Sequence, residues 1–190
     1  MKDNFIKIIL KKFSDLPSKS RSCLSLNRGA NPKLNTLMKK QHDGLTFFLF
    51  DYSFEVINNH NYRRRNNINY LTETICLINK PNSNLTPFTL KDGEFSLPNL
   101  NEDELASNLL KEDKEFCKNF HILSNSRISL DLIFNKPIRD GFKNKHIPGY
   151  KYEAKNDFFV VSKQGKLDLK ERLELLKQAM DIFELVSSNN

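Results

Sequence analysis

Three adjacent arginines, Arg63, Arg64 and Arg65, preceded by Tyr62 and flanked by His60, Asn66 and Asn67, form the group of residues in this chain best suited to binding chemistry. Neighbouring guanidiniums repel one another and resist burial, so they belong on an exposed tip. There their forked donors fit phosphate or carboxylate oxygens and Tyr62 offers a ring for stacking. A solvated turn that keeps a hydrophobic hairpin soluble accounts for the same residues. A second group is Lys7, Lys11 and Lys12, set among Phe5, Ile6, Ile8, Ile9, Leu10 and Phe13. Such a segment can lie in an anionic membrane interface with its lysines at the headgroups, or dock on the domain or on a partner through the same apolar residues.

Catalytic groupings are weaker. His42, His60, His121 and His146 are scattered, with no His-Glu-x-x-His and no closely spaced ligand pair. Cys117 precedes His121 by four residues, which would place thiol and imidazole on one face of a helix, but the segment reads as a helix end running into a strand. His121, between Phe120 and Ile122, fits a structural imidazole, and Cys76 fits a small buried hydrophobe. Asp131, Asp140, Glu153 and Asp157 are carboxylates whose separations fix no common site, and surface charge explains each. There is no Walker loop, dinucleotide glycine turn or Gly-x-Ser-x-Gly elbow. No cofactor, metal or catalytic residue is assigned.

The elements that must hold these groups follow from the pattern of apolar residues. Asp3 to Leu16 reads as a helix stopped by Pro17, and Pro17 to Pro32 as a linker or long loop. Pro32 to Lys40 fits either a short helix or the approach to a strand. Leu45 to Val56 is the strongest strand signal, with Phe50, Tyr52, Phe54 and Val56 on one face and Asp51, Ser53 and Glu55 on the other. Asp51 then meets solvent or a basic group such as those of the hairpin. Tyr70 to Ile78 supplies the partner strand, so residues 58–69 form a long hairpin tip.

Phe88-Thr89-Leu90 reads as an edge or bulged strand, Asn101 to Leu110 as a short helix, and Ile128 to Phe134 as strand or helix. Tyr150 to Ala154 and Phe158 to Val161 form a strand pair turning at Asn156-Asp157. Asp168 caps a closing helix in a capping box with Glu171, and Leu169, Leu173, Leu176, Met180 and Phe183 mark its apolar stripe. The fold class expected is α+β: a mostly antiparallel sheet with helices on one face and a long C-terminal amphipathic helix. Residues 1–30 form an N-terminal basic amphipathic helix and linker, and 31–190 a single domain.

Composition bounds the function. The 190 residues carry 38% hydrophobic side chains, including fifteen Phe and no Trp, which is enough apolar material to build a core. Three cysteines without a Cys-x-x-Cys pair suit a reducing compartment. The N-terminus lacks a signal-peptide core, and no apolar run is long enough to span a membrane. The net charge of +7 is one-sided: residues 1–80 hold fourteen Lys or Arg against six Asp or Glu, while residues 81–190 hold sixteen against seventeen.

Several segments in order resemble an uncharacterised bacterial domain family. They are Gly44 to Tyr52 ending in Phe50-Asp51-Tyr52, the polar tip, the strand Thr72 to Ile78, Phe88-Thr89-Leu90, Glu115 to Ile122, and the closing strand pair and helix Tyr152 to Val186. The resemblance covers about residues 30–186 and implies the same α+β fold. Relatives in that group often carry transmembrane helices ahead of the domain, which this chain lacks. The family implies no activity, cofactor or catalytic residue.

A basic first half without a catalytic signature leads to a non-enzymatic binding or interaction domain, cytoplasmic or peripheral at the membrane, directed at an anionic surface or an acidic partner protein. The alternative is nucleic-acid binding, which needs a continuous positive track joining the arginine tip to Lys39, Lys40, Arg21 or Arg28. A hydrolase with an unrecognised site is the third reading. The sequence does not fix the oligomeric state.

Overall fold

The computed structural model describes residues 16–23, 26, 29–57, 68–92, 113–123, 133–145 and 147–188. Among these residues seven strands form one sheet: β1 (Ala30–His42), β2 (Leu45–Ile57), β3 (Ile68–Asn79), β4 (Leu85–Asp92), β5 (Phe120–Leu123), β6 (Tyr150–Asn156) and β7 (Phe158–Gln164). Their order across the sheet is β1-β2-β3-β7-β6-β4-β5. Every neighbouring pair is antiparallel. Three α-helices are described: α1 (Lys114–Asn119), α2 (Lys136–Lys145) and α3 (Leu169–Ser187). A short 3-10 helix spans Ser18–Ser22.

Local chemistry explains most of this order. Asp43 and Gly44 both take positive φ, turning β1 into β2 directly. Asn156 does the same between β6 and β7. The aromatic and β-branched content of β2 and β3 suits a pleated surface buried on both sides. The region from Pro32 to Lys40, open to helix or strand by pattern, lies wholly within β1. That strand is irregular: its pairing slips between Ala30 and Lys33 and between Asn35 and Met38, where Asn31 and Thr36 sit at positive φ.

Two apolar clusters lie on opposite faces of the sheet. One row, Leu49, Cys76, Val161, Tyr152, Leu90 and Ile122, runs straight across β2, β3, β7, β6, β4 and β5. All six belong to the larger cluster, together with Phe116 of α1, Ile138 and Phe142 of α2, and Leu175, Ala179, Ile182, Phe183 and Val186 of α3. Phe48, Phe50, Tyr52, Phe54, Ile75, Leu77, Phe158 and Val160 project to the other face, where Leu16, Cys23 and Leu26 join them. Tyr52 also donates a hydrogen bond from its hydroxyl to the Leu26 carbonyl, 3.3 Å away. The stretch expected as linker therefore contributes buried residues to the sheet.

Three expectations change. Phe88-Thr89-Leu90 is bulged, with a register shift between Leu85 and Phe88 around Pro87, but it is not an edge: β4 lies between β6 and β5. The four residues of β5 that cover it carry too little pattern to announce a strand. The stripe on α3 is also rotated. Leu169 is 71% exposed and Leu173 53% exposed, while Arg172, Leu175, Gln178, Ala179, Ile182, Phe183 and Val186 face inward. Two apolar seams run along this helix, and polar anchors choose between them: Arg172 reaches Asp51, and Gln178 donates to the Tyr152 hydroxyl at 2.8 Å. The third is α2, which the sequence reading did not expect. The capping box of Asp168 with Glu171 is present as read. The helices expected at Asp3 to Leu16 and at Asn101 to Leu110, and most of Ile128 to Phe134, lie outside the described residues.

Candidate functional site

The residues first singled out for binding, Tyr62, Arg63, Arg64 and Arg65, and Lys7, Lys11 and Lys12, lie outside the described residues, as do Arg28, His60, Asp131 and His146. The strands on either side of residues 58–67 are described, with β2 and β3 paired from Thr46 opposite Asn79 to Ile57 opposite Ile68.

The candidates for catalysis do not come together. His42 sits on β1 and His121 on β5, at opposite edges of the sheet. Cys117 packs against the larger cluster, whereas His121 stands opposite Lys91 on the other face, so the sheet lies between them. Burial, and then the nearby Asp113 carboxylate, push the Cys117 thiol up, which disfavours the thiolate a nucleophile needs. Cys76 is wholly buried and burial pushes it up to about 12; Cys23 is likewise pushed up to about 12. Asp140 leans on Lys143 in α2, Glu153 is buried in β6 and Asp157 occupies the β6–β7 turn. Among the described residues no group of three or more His, Cys, Asp or Glu side chains converges to hold a metal ion.

Of the two environments expected for Asp51, solvent and a basic group, the structure gives the second: the basic group is Arg172 of α3. Asp51 is 1% exposed on the face of the larger cluster, where its Oδ1 accepts from Arg172 Nη2 at 2.5 Å and from the Thr74 hydroxyl at 2.9 Å. Arg172 Nε donates to the Leu167 carbonyl at 2.9 Å, and the Leu167 amide donates to Thr74 Oγ1 at 3.1 Å. This network ties the start of α3 to the middle of the sheet. Sequence reasoning missed it because the partners are separated by 121 positions. A signal existed: an arginine and a glutamine, Arg172 and Gln178, inside an otherwise apolar helical face.

The other face changes character along one row. Phe50 stands opposite Ile75, Ile75 opposite Ser162, Ser162 opposite Lys151, Lys151 opposite Lys91, and Lys91 opposite His121. Directly opposed residues share a face and hold their Cβ atoms about 5 Å apart. The row is thus apolar on β2 and β3 and rich in N–H donors on β6, β4 and β5. In the adjoining row Val160 faces Glu153 and Glu153 faces Thr89. Lys151 is 1% exposed and Glu153 3%, with 3.7 Å between Lys151 Nζ and Glu153 Oε2. Lys91 and His121 are half-buried. Ser162 is completely buried, and its hydroxyl has no hydrogen-bond partner.

A third feature is the basic edge. β1 ends the sheet and carries Lys33, Lys39 and Lys40 with no Asp or Glu. Lys33 Nζ lies 5.9 Å from the centre of the Tyr70 ring and Lys39 Nζ 5.7 Å from that of Phe48, cation–π placements that hold both charges near the edge. Lys39 pairs with Phe48 and Lys40 with Phe47, so the two point to opposite faces of the sheet.

No protein-family model matches this chain, and no curated protein matches it by sequence. Its fold is similar to that in the crystal structure of the mycobacterial trehalose monomycolate transport factor A, TtfA. The TM-score is 0.61 at 9% identity, covering 88% of this chain and 80% of that one. At that identity the likeness is one of fold. Among the described residues no helix is long and apolar enough to cross a membrane.

Proposed function

We propose that this chain is a non-enzymatic interaction domain that uses its basic first half to engage an acidic protein segment. The observation that carries the reading is the sheet edge at β1: a strand of thirteen residues with three lysines and no carboxylate, at the end of the sheet order. An extended acidic segment laid along it would meet the lysines on both faces. Arg63 to Arg65 and Tyr62 belong to the same basic half, and Lys7, Lys11 and Lys12 extend it. Because all three α-helices contribute to one cluster, we read them as a layer on one face, leaving β1 uncovered by them. The structural neighbour is by its name a transport factor, which is compatible with a binding role.

Nucleic acid is less well served, since Lys39 and Lys40 point to opposite faces and split the track that a phosphate backbone would follow. The test is binding of the full chain to fluorescent polyglutamate across a salt series. Parallel arms use phosphatidylglycerol and phosphatidylcholine vesicles and a mixed-sequence oligonucleotide. We expect polyglutamate binding that weakens with salt and is lost in a variant carrying K33E, K39E and K40E. Binding indifferent to salt and to that variant overturns the reading. Preference for anionic vesicles would move the partner to a membrane, and preference for the oligonucleotide to nucleic acid.

A further inference from the structure

The outward seam of α3 is turned toward the basic end of the sheet. Arg172 meets Asp51 on β2, and Lys80 Nζ, just past β3, lies 5.9 Å from the centre of the Phe183 ring. Lys80 follows Asn79, which stands opposite Thr46. From Arg172 to Phe183 the helix rises about 16 Å, and from Asp51 to Thr46 the strand spans about 17 Å, so α3 runs alongside the strands. It packs over β3 and β7. Gln178 reaches Tyr152 on β6 and Leu185 sits against Gly141 of α2, which turns that flank away from β2. Leu169, Leu173, Leu176 and Met180, at spacings of four, three and four, share the opposite flank and are turned toward β2 and β1. Leu169 and Leu173 are exposed, while Leu176 and Met180 are half-buried against the larger cluster. Tyr70 is exposed on the same face, close to the start of α3, because the Gly165 amide donates to the Thr72 carbonyl. Three of the four exposed large apolar side chains among the described residues thus gather at one corner.

The step beside α3 has the width of one more helix. The midline of β1 and β2 lies two strand spacings, about 10 Å, from that of β3 and β7, and packed helices stand about 8–10 Å apart. Lysines border the step. Lys170 and Lys177 flank Leu173 on α3, and Lys33 and Lys40 stand opposite Ser53 and Phe47 on this face of β1. Carboxylates lie at its ends: Glu55, which accepts from Asn31, and the capping Asp168 at one, Asp43 beside His42 and Glu184 at the other. We propose that the groove between this flank of α3 and strands β1 and β2 docks an amphipathic helix of an acidic partner protein, its apolar side on the leucines and its carboxylates toward the lysines. A flat bilayer would rest on Leu169 and Leu173 without reaching Met38 and Leu45, which lie half-buried at the level of the sheet, whereas a helix fills the step. The inference rests on the acidic partner proposed above and adds that the part of it held here is helical and apolar on one side.

The experiment is fluorescence polarisation of the full chain with two labelled helical peptides of the same Leu, Glu and Ala content. One carries its leucines along a single face and the other has them distributed around the helix. We expect saturable binding of the first at least tenfold tighter than of the second. That binding should weaken at least tenfold in L169S/L173S and several-fold in K170E/K177E. Because both leucines are exposed, L169S/L173S should melt with the parent chain and bind polyglutamate as the parent does. Equal binding of the two peptides, or peptide affinity unchanged in L169S/L173S, overturns the inference. If polyglutamate still binds in that case, the proposed function stands without it; if neither ligand binds, both fall. Two further results also overturn it by naming another occupant. Phosphatidylglycerol vesicles bound only while Leu169 and Leu173 are intact would assign a membrane. A parent dimer that L169S/L173S converts to monomer, read by light scattering, would assign a second copy of this chain.

Discussion

Replacing Arg172 by methionine removes the cation from a buried pair and leaves the Asp51 carboxylate, 1% exposed, with the Thr74 hydroxyl as its remaining described hydrogen-bond donor. Breaking a buried ion pair from one side costs roughly 3–5 kcal/mol, because the surviving charge has been taken out of water and keeps no counter-charge. That is a large share of the stability of about 5–15 kcal/mol common to single domains. At roughly 2–4 °C per kcal/mol, the melting temperature of R172M should fall by about 10 °C. The double variant D51L/R172M should recover most of the loss, since apolar residues in place of a buried pair are often neutral or better. The Thr74 hydroxyl, no longer donating to Asp51, then turns its proton to the Gly165 carbonyl, 3.0 Å away. Urea unfolding of R172M, D51L and the double variant, followed by far-ultraviolet circular dichroism, gives the three free-energy changes relative to the parent chain. Single-variant costs that simply add, or an R172M loss under about 1 kcal/mol, would refute the account of α3 as anchored through this pair.

Acid stability should depend on Asp113, whose carboxyl is held below its usual range first by the hydrogen bond from Lys143, 2.8 Å away, and then by the Phe116 amide. Since folding lowers this pKa, its stabilisation is fully present above about pH 4 and is lost as pH falls through the lower folded value; D113N should flatten that limb of the stability profile. N-ethylmaleimide treatment of the folded chain near neutral pH should leave Cys23 and Cys76 unmodified, both wholly buried, and label Cys117 slowly; rapid labelling of all three, read by mass spectrometry, would contradict the packing. Gly29 holds φ +66°, and a Cβ there would come within 2.6 Å of the Glu55 carbonyl oxygen and meet the Phe54 ring as well. G29A should therefore cost more than about 1 kcal/mol in urea unfolding, and an unchanged midpoint would show that this close approach is not needed.

The elements that sequence reading located were those whose pattern is local. Alternation in β2 and β3, the turn at Asn156, the strand pair β6 and β7 and the capping box at Asp168 each depend on residues within a few positions of one another. The short strand β5 and helices α1 and α2 carry less of that information; Phe116 and Phe120 marked the turn from helix into strand, while α2 passed unnoticed. On α3 the capping signal placed the start of the helix correctly, but two seams of leucine, isoleucine and methionine satisfy helical spacing equally well. Only the reach of Arg172 to Asp51 and of Gln178 to Tyr152 decides which seam is buried.

The sequence by itself determined the sheet-rich α+β character, the one-sided charge and the absence of a recognisable catalytic motif, because each is a property of composition or of short-range periodicity. Tertiary structure alone decided that β7 inserts between β3 and β6, and hence that Ser162, Lys151, Lys91 and His121 fall in one row. Strand order depends on pairings between residues many tens of positions apart, which leave no periodic trace in the chain. Lys91 and Lys151 read separately as two surface lysines, and become a like-charged pair only when β4 and β6 meet.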